Sequence, residues 1–160
     1  MTHKIREVYI VHHSHTDVGY TDLQEQVIYN QANNIRRAVE LIENGIKNNT
    51  TQKDLKWNCE TWYCVEQFLK VATKEEKKTF FDLVKKNSIG LSANYLNFND
   101  LADCKYLKEK IHTMQEICGE KGIQIKTAMI ADINGISMGQ RDALIENGVE
   151  FLYTNIHTHH

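Results

Sequence analysis

The sequence contains no proline in 160 residues, where average usage of about 5% would supply roughly eight. Its turns must therefore rest on Gly, Asn and Asp. Long apolar runs are also missing: the longest stretches are strand-length, so no segment reads as a membrane-spanning helix. Residues 1–20 lack the apolar centre of a signal peptide. Lys and Arg form no long run, and 19 of them against 21 Asp and Glu leave a formal net charge of −2. That balance argues against a nucleic-acid or anionic-membrane surface. The four cysteines (Cys59, Cys64, Cys104 and Cys118) make no CxxC pair. They read as free buried thiols rather than disulfides or zinc ligands, and this favours a reducing cytoplasm.

What is present suits one domain with a real core: 41% hydrophobic and 25% charged residues. Strand and helix patterns alternate. Glu7–Val11 reads as a short buried strand. Thr21-Asp22-Leu23-Gln24 has capping-box form. Leu23, Val27, Ile28, Ala32, Ile35, Val39, Ile42 and Ile46 then fall at spacings of three and four, one apolar stripe of a long helix ended by Asn48-Asn49-Thr50. Leu55–Cys59 reads as a second strand and Trp62–Val71 as a helix. Thr73-Lys74-Glu75-Glu76 forms another capping box, opening a helix through about Lys86, with Lys74 to Lys78 on its solvated face and Phe80 and Phe81 in the core. Ile89–Ser92, Thr127–Ala131 and Phe151–Ile156 complete five strands. Helices are expected over Asp100–Cys118, closed by Gly119, and over Met138–Asn147, stopped by Gly148. This alternation predicts an α/β fold with a parallel sheet, as an open sheet or part of a barrel. Residues 1–160 show no linker or repeat, so they form one structural unit or a piece of one.

In parallel α/β folds ligands bind beyond the carboxyl ends of the strands. Those ends carry His12 to Asp17, Glu60-Thr61-Trp62, Asn94 to Asp100, Asp132-Ile133-Asn134-Gly135, and finally His157, His159 and His160. Ordinary loops seldom gather so many His, Asp and Glu. The sharpest element is His15-Thr16-Asp17. In extended backbone, residues i and i+2 point the same way, so one imidazole and one carboxylate can share an ion. The mixed N/O set suits zinc better than calcium or magnesium. Gly19 lets the chain turn away, and Tyr20 could stack on a sugar ring. The bland alternative is that His15 and Asp17 only cap the next helix. His13 and His15 offer a second, His-x-His arrangement, as in amidohydrolase-like sites. Glu60 reads as a hydroxyl acceptor, a partner for a metal ligand, or a helix N-terminal acid. Asp132 and Asn134 read as site residues or as an Asx-turn.

His13-Ser14-His15-Thr16-Asp17-Val18-Gly19-Tyr20 resembles the His-Ser-His-Asn-Asp-Pro-Gly-Trp signature of glycoside hydrolase family 38, the α-mannosidases. Asp132-Ile133-Asn134-Gly135-Ile136-Ser137 resembles that family's Asp-Pro-Phe-Gly-His-Ser stretch, and Lys56-Trp57-Asn58-Cys59-Glu60 its second strand. The resemblance implies the N-terminal portion of an irregular seven-stranded β/α barrel and a zinc-dependent retaining hydrolase of α-mannosides. It implies that His15 and Asp17 are the first two metal ligands and that Tyr20 lies beneath the sugar; Glu60 and Asp132 are expected to join Tyr20 in binding the carbohydrate. The family's nucleophilic Asp aligns with Asn99, and an amide cannot take that role. A shift of one residue makes Asp100 the candidate. The general acid and the last ligand fall outside these residues, so a truncated, inactive portion of a longer parent chain is expected. A different metal hydrolase and a non-catalytic sugar-binding relative are the alternatives. The oligomeric state is left open.

Overall fold

The computed structural model describes residues 4–97 and 102–155. Asp100, Asn99, His157, His159 and His160 lie outside the described residues. Five helices carry most of the structure: α1 (Gln24–Asn48), α2 (Trp62–Val71), α3 (Lys74–Lys85), α4 (Cys104–Gly119) and α5 (Met138–Glu146). Four short strands lie between them: β1 (Trp57–Cys59), β2 (Ile89–Leu91), β3 (Thr127–Ala131) and β4 (Phe151–Asn155).

The seven-stranded barrel expected from the sequence is not what the described residues form. They make an α-rich domain with two two-stranded parallel sheets, β1–β2 and β3–β4. Two physical causes stand out. The apolar run Glu7–Val11 is not a strand: Val8, Tyr9 and Ile10 are 75%, 83% and 74% exposed, so nothing covers them. Among the described residues, the chain meets β1 just after this segment, at the parallel bridge of His13 to Asn58. Between β2 and β3, Ser92 interrupts the ladder. Its Oγ, not a backbone carbonyl, accepts from Met129 N at 2.9 Å. One backbone bond survives there, Ala93 N to Thr127 O at 2.9 Å. β4 is exposed along its whole length.

The core lies between the helices and the short strands. α1 buries Val27, Ala32, Ile35, Ala38, Val39 and Ile42 against α2 and α3. The ends of its expected stripe stay out: Leu23 is 74% and Ile46 48% exposed. Phe68, Phe80 and Phe81 pack with ring centroids 5.3 Å apart in each neighbouring pair. A fully buried aromatic of this kind contributes on the order of 2–3 kcal/mol. Gly90 in β2 leaves room for its neighbour in β1, because a Cβ there would displace the end of the Asn58 side chain.

The two capping boxes behave differently. At α3, Thr73 Oγ1 accepts from Glu76 N at 3.2 Å and Glu76 Oε2 accepts from Thr73 N at 2.7 Å. At α1, Thr21 caps nothing. The helix begins at Gln24, behind Leu23, with no side-chain cap. Asp22 Oδ1 instead accepts from Leu23 N at 2.7 Å, which spends the local acceptor one residue too early. The α4 end also differs from expectation. Gly119 lies inside the helix, and the left-handed residue is Gly122, φ +72°.

Arg36, with the Thr73 backbone amide, holds the Glu76 carboxyl down at about 2. A lowered carboxyl pKa contributes stability above its unfolded value, near 4.5, and loses it as pH falls toward 2. Solvent screens part of that effect, since Glu76 is 30% exposed. Thr73→Ala is expected to cost about 1 kcal/mol in urea unfolding at neutral pH. Glu76→Gln is expected to flatten the acid limb of stability against pH between 4.5 and 2. An unchanged acid limb contradicts the assignment.

Candidate metal centre

Four segments meet at one end of the short strands. The first is the loop His12 to Asp17, tied to β1 by Asn58 N donating to His12 O at 2.8 Å. Helix α1 fixes the same loop from the side. Gln31 Nε2 donates to His15 O at 2.8 Å, and Asn34 Nδ2 donates to Ser14 Oγ at 3.0 Å. Thr16, buried, hydrogen-bonds Cys64 Sγ at 3.2 Å, and Thr61 does the same from α2's N-cap position. The chain then turns at Gly19, φ +80°, where a Cβ would press on the Gln24 side chain at 2.9 Å.

The second segment delivers Glu60, directly after β1. Its side chain is fully enclosed, and its oxygens are all engaged. Oε2 stands 2.9 Å from His13 Nδ1, and Oε1 stands 2.9 Å from His15 Nδ1. Asn97 Nδ2 also donates to Oε1. The third segment, after β2, supplies Asn97. It is braced by Asn94 Nδ2 on its Oδ1 at 2.8 Å, and that same Oδ1 accepts from Ala131 N at 3.3 Å. The carbonyls of Asn94 and Tyr95 receive the first amides of α2, Trp62 N at 2.8 Å and Tyr63 N at 2.9 Å. The fourth segment delivers Asp132, after β3. It takes a left-handed backbone, φ +60°, which Asp tolerates better than most residues.

These segments bring His15, Asp17 and Asp132 together, with one ligand-type atom from each within 4.8 Å of the others. His15 Nε2 is 3.4 Å from Asp17 Oδ1 and 3.5 Å from Asp132 Oδ2. Charge-assisted hydrogen bonds between nitrogen and carboxylate run about 2.7–2.9 Å, so these separations are too long for good ones. They match the edge of a tetrahedron instead: two ligands about 2.1 Å from a zinc stand about 3.4 Å apart. His15, Asp17 and Asp132 are each about one-third exposed, at 33%, 34% and 39%, so an ion could reach them. Burial opposes protonation of His15, but the charge and hydrogen bond of Glu60, then Asp17 and Asp132, outweigh it and raise its pKa. The same field that favours a proton on His15 favours a metal cation.

The other expected residues fall as follows. Asp132 stands beside His15, its Oδ2 3.5 Å from Nε2. Glu60 faces two histidines and is closed to solvent. Tyr20 is 89% exposed and makes no ring contact among the described residues. Asp100 lies outside the described residues. His13 is not one of the three clustered residues; Asp17 is. Among the described residues, His13 turns its Nδ1 to Glu60 instead. Sequence reasoning missed the bracing amides Gln31, Asn34, Asn94 and Asn97. Asn94 and Asn97 were visible only as part of a polar strand end.

No protein-family model matches the chain, and no curated protein matches it.

Burial sets the thiol chemistry nearby. It pushes Cys59 and Cys64 up, and Cys118 up to about 12. All three are buried, while Cys104 is partly exposed. An aromatic disulfide reagent is expected to titrate Cys104 quickly in the native protein and the other three only on unfolding. Fast reaction of Cys64 would show that the Thr16–Cys64–Thr61 anchor is open.

Proposed function

We propose that His15 Nε2, Asp17 and Asp132 bind a divalent cation, zinc by chemistry, and that this chain contributes the site to a glycoside hydrolase resembling the α-mannosidases. One observation carries the metal reading: two carboxylate oxygens at 3.4 and 3.5 Å from one imidazole nitrogen, spaced for a shared ion. One imidazole and two carboxylates are all ligand types that zinc takes, and three protein ligands leave a fourth position to water or substrate. The sugar reading rests on the likeness of residues 13–20 and 132–137 to family 38.

When bound, zinc supplies a Lewis acid that orients and polarises oxygen ligands such as sugar hydroxyls. The chain's own residues do the rest. Asp17 and Asp132 hold the cation and keep charge on the side facing solvent. The exposed Tyr20 ring is free to meet the apolar face of a sugar. Asp100 remains the proposed attacking carboxylate. A retaining reaction needs a second carboxyl about 5–5.5 Å from the first, supplied by the remainder of the parent chain. The four free thiols support a reducing, cytoplasmic setting. Among the described residues, no helix is long and apolar enough to cross a membrane.

Zinc titration of the metal-free chain, read by competition with a chromophoric chelator, is expected to show one site. His15→Ala, Asp17→Ala and Asp132→Ala should each weaken it at least tenfold. Unchanged affinity in all three contradicts the site. In the complete parent, Asp100→Asn is expected to abolish release of aryl alcohol from an aryl α-mannoside while zinc content persists. Full activity removes Asp100 from the mechanism.

A further inference from the structure

Glu60 is the most enclosed carboxylate near the centre, and burying one without partners is costly. It is satisfied by three donors from two segments: His13 Nδ1, His15 Nδ1 and Asn97 Nδ2. A carboxylate can only accept. Each imidazole must therefore carry its proton on Nδ1 to make these bonds. For His15 this leaves Nε2 as the nitrogen that can turn a lone pair to a metal, and Nε2 is the atom that stands between Asp17 and Asp132. A lone pair facing two carboxylates is repulsive, so this position takes a cation: a second proton on His15 or, in its place, a metal ion. Asn97 extends the same brace, because its Oδ1 accepts from Ala131 N, one residue before Asp132. Glu60 thus touches the mounts of both the histidine and the distant carboxylate.

We infer that Glu60 is a positioning residue for the metal centre: by gripping Nδ1 of His13 and His15 together, it fixes His15 so that Nε2 is the metal-binding nitrogen. The inference rests on the metal reading above. His13 shares the carboxylate without being a ligand. Its grip keeps Glu60 from rotating, so that Oε1 stays on His15. A helix N-terminal acid acting only through the dipole of α2 would need none of these bonds, and α2 already has its first amides capped by Asn94 and Tyr95 carbonyls.

The test uses the full 160-residue chain and two readouts. Long-range nitrogen–proton NMR of the imidazoles in the metal-free wild type reports the tautomer. His15 and His13 are expected with hydrogen on Nδ1, and added zinc should shift His15 Nε2 alone. Glu60→Gln offers one acceptor oxygen and an amide donor, so it can hold only one histidine. It is expected to lower zinc affinity 10- to 100-fold and to mix the His15 tautomers, with circular dichroism unchanged. His13→Ala should lower affinity only a few-fold. A neutral His15 with hydrogen on Nε2 and none on Nδ1 in the metal-free wild type overturns the inference whether or not the variant folds. So does wild-type zinc affinity in Glu60→Gln. If Asp17→Ala loses zinc while Glu60→Gln does not, the positioning role alone fails. If the wild type takes up no zinc, the metal reading fails and the inference with it.

Discussion

The arrangement depends on one buried carboxylate shared by two histidines. Glu60 lies at the junction of β1 and α2, and its two oxygens hold the loop carrying His13 and His15 against the sheet end. Without that pairing, the enclosed charge would be uncompensated and the loop would lose its strongest anchor. The side chains and helix α1 add neutral contacts to the loop: an amide from Gln31, an amide from Asn34, and a thiol between two threonines. The loop's single backbone bridge to β1 could not by itself fix where an imidazole points. Charge-assisted bonds can, because they are short, directional and expensive to leave unmade.

From that constraint the centre follows in steps. His15 is oriented through Nδ1, so Nε2 turns outward. Asp17, two residues on, turns the same way, and the Gly19 turn then removes the chain from the site. Asp132 arrives from far along the chain, held by a left-handed backbone and by the Ala131–Asn97–Glu60 brace. The helices supply the rigid backing. α1 contributes a buried stripe and two amides to the loop, while α2 starts on the carbonyls that precede Asn97.

Local features were legible in the sequence where one segment determines them. The α1 stripe, the α2 bounds, the Thr73–Glu76 capping box and the Thr127–Ala131 strand all follow from spacing and side-chain chemistry within a few residues. His15-Thr16-Asp17 stood out for the same reason. What failed depended on partners elsewhere in the chain. An apolar run such as Glu7–Val11 looks identical whether or not a neighbour pairs with it. Ser92 gives no sign in sequence that its hydroxyl will replace a ladder carbonyl. Thr21 and Gln24 have the spacing of a cap, but Asp22 competes for the same amides. The approach of Asp132 to His15 and the grip of Glu60 on two histidines join residues far apart in the chain, and no periodicity encodes them.

The most direct measurement is X-ray absorption at the zinc edge of the chain loaded with one equivalent of zinc. The account predicts a shell of nitrogen and oxygen only, at about 2.0–2.2 Å, with the outer-shell scattering of a single imidazole and none of sulfur. A sulfur shell near 2.3 Å would contradict it, because the cysteines would then hold zinc, and so would two imidazoles in the first shell, because a second histidine would then stand where the account has a carboxylate or open position.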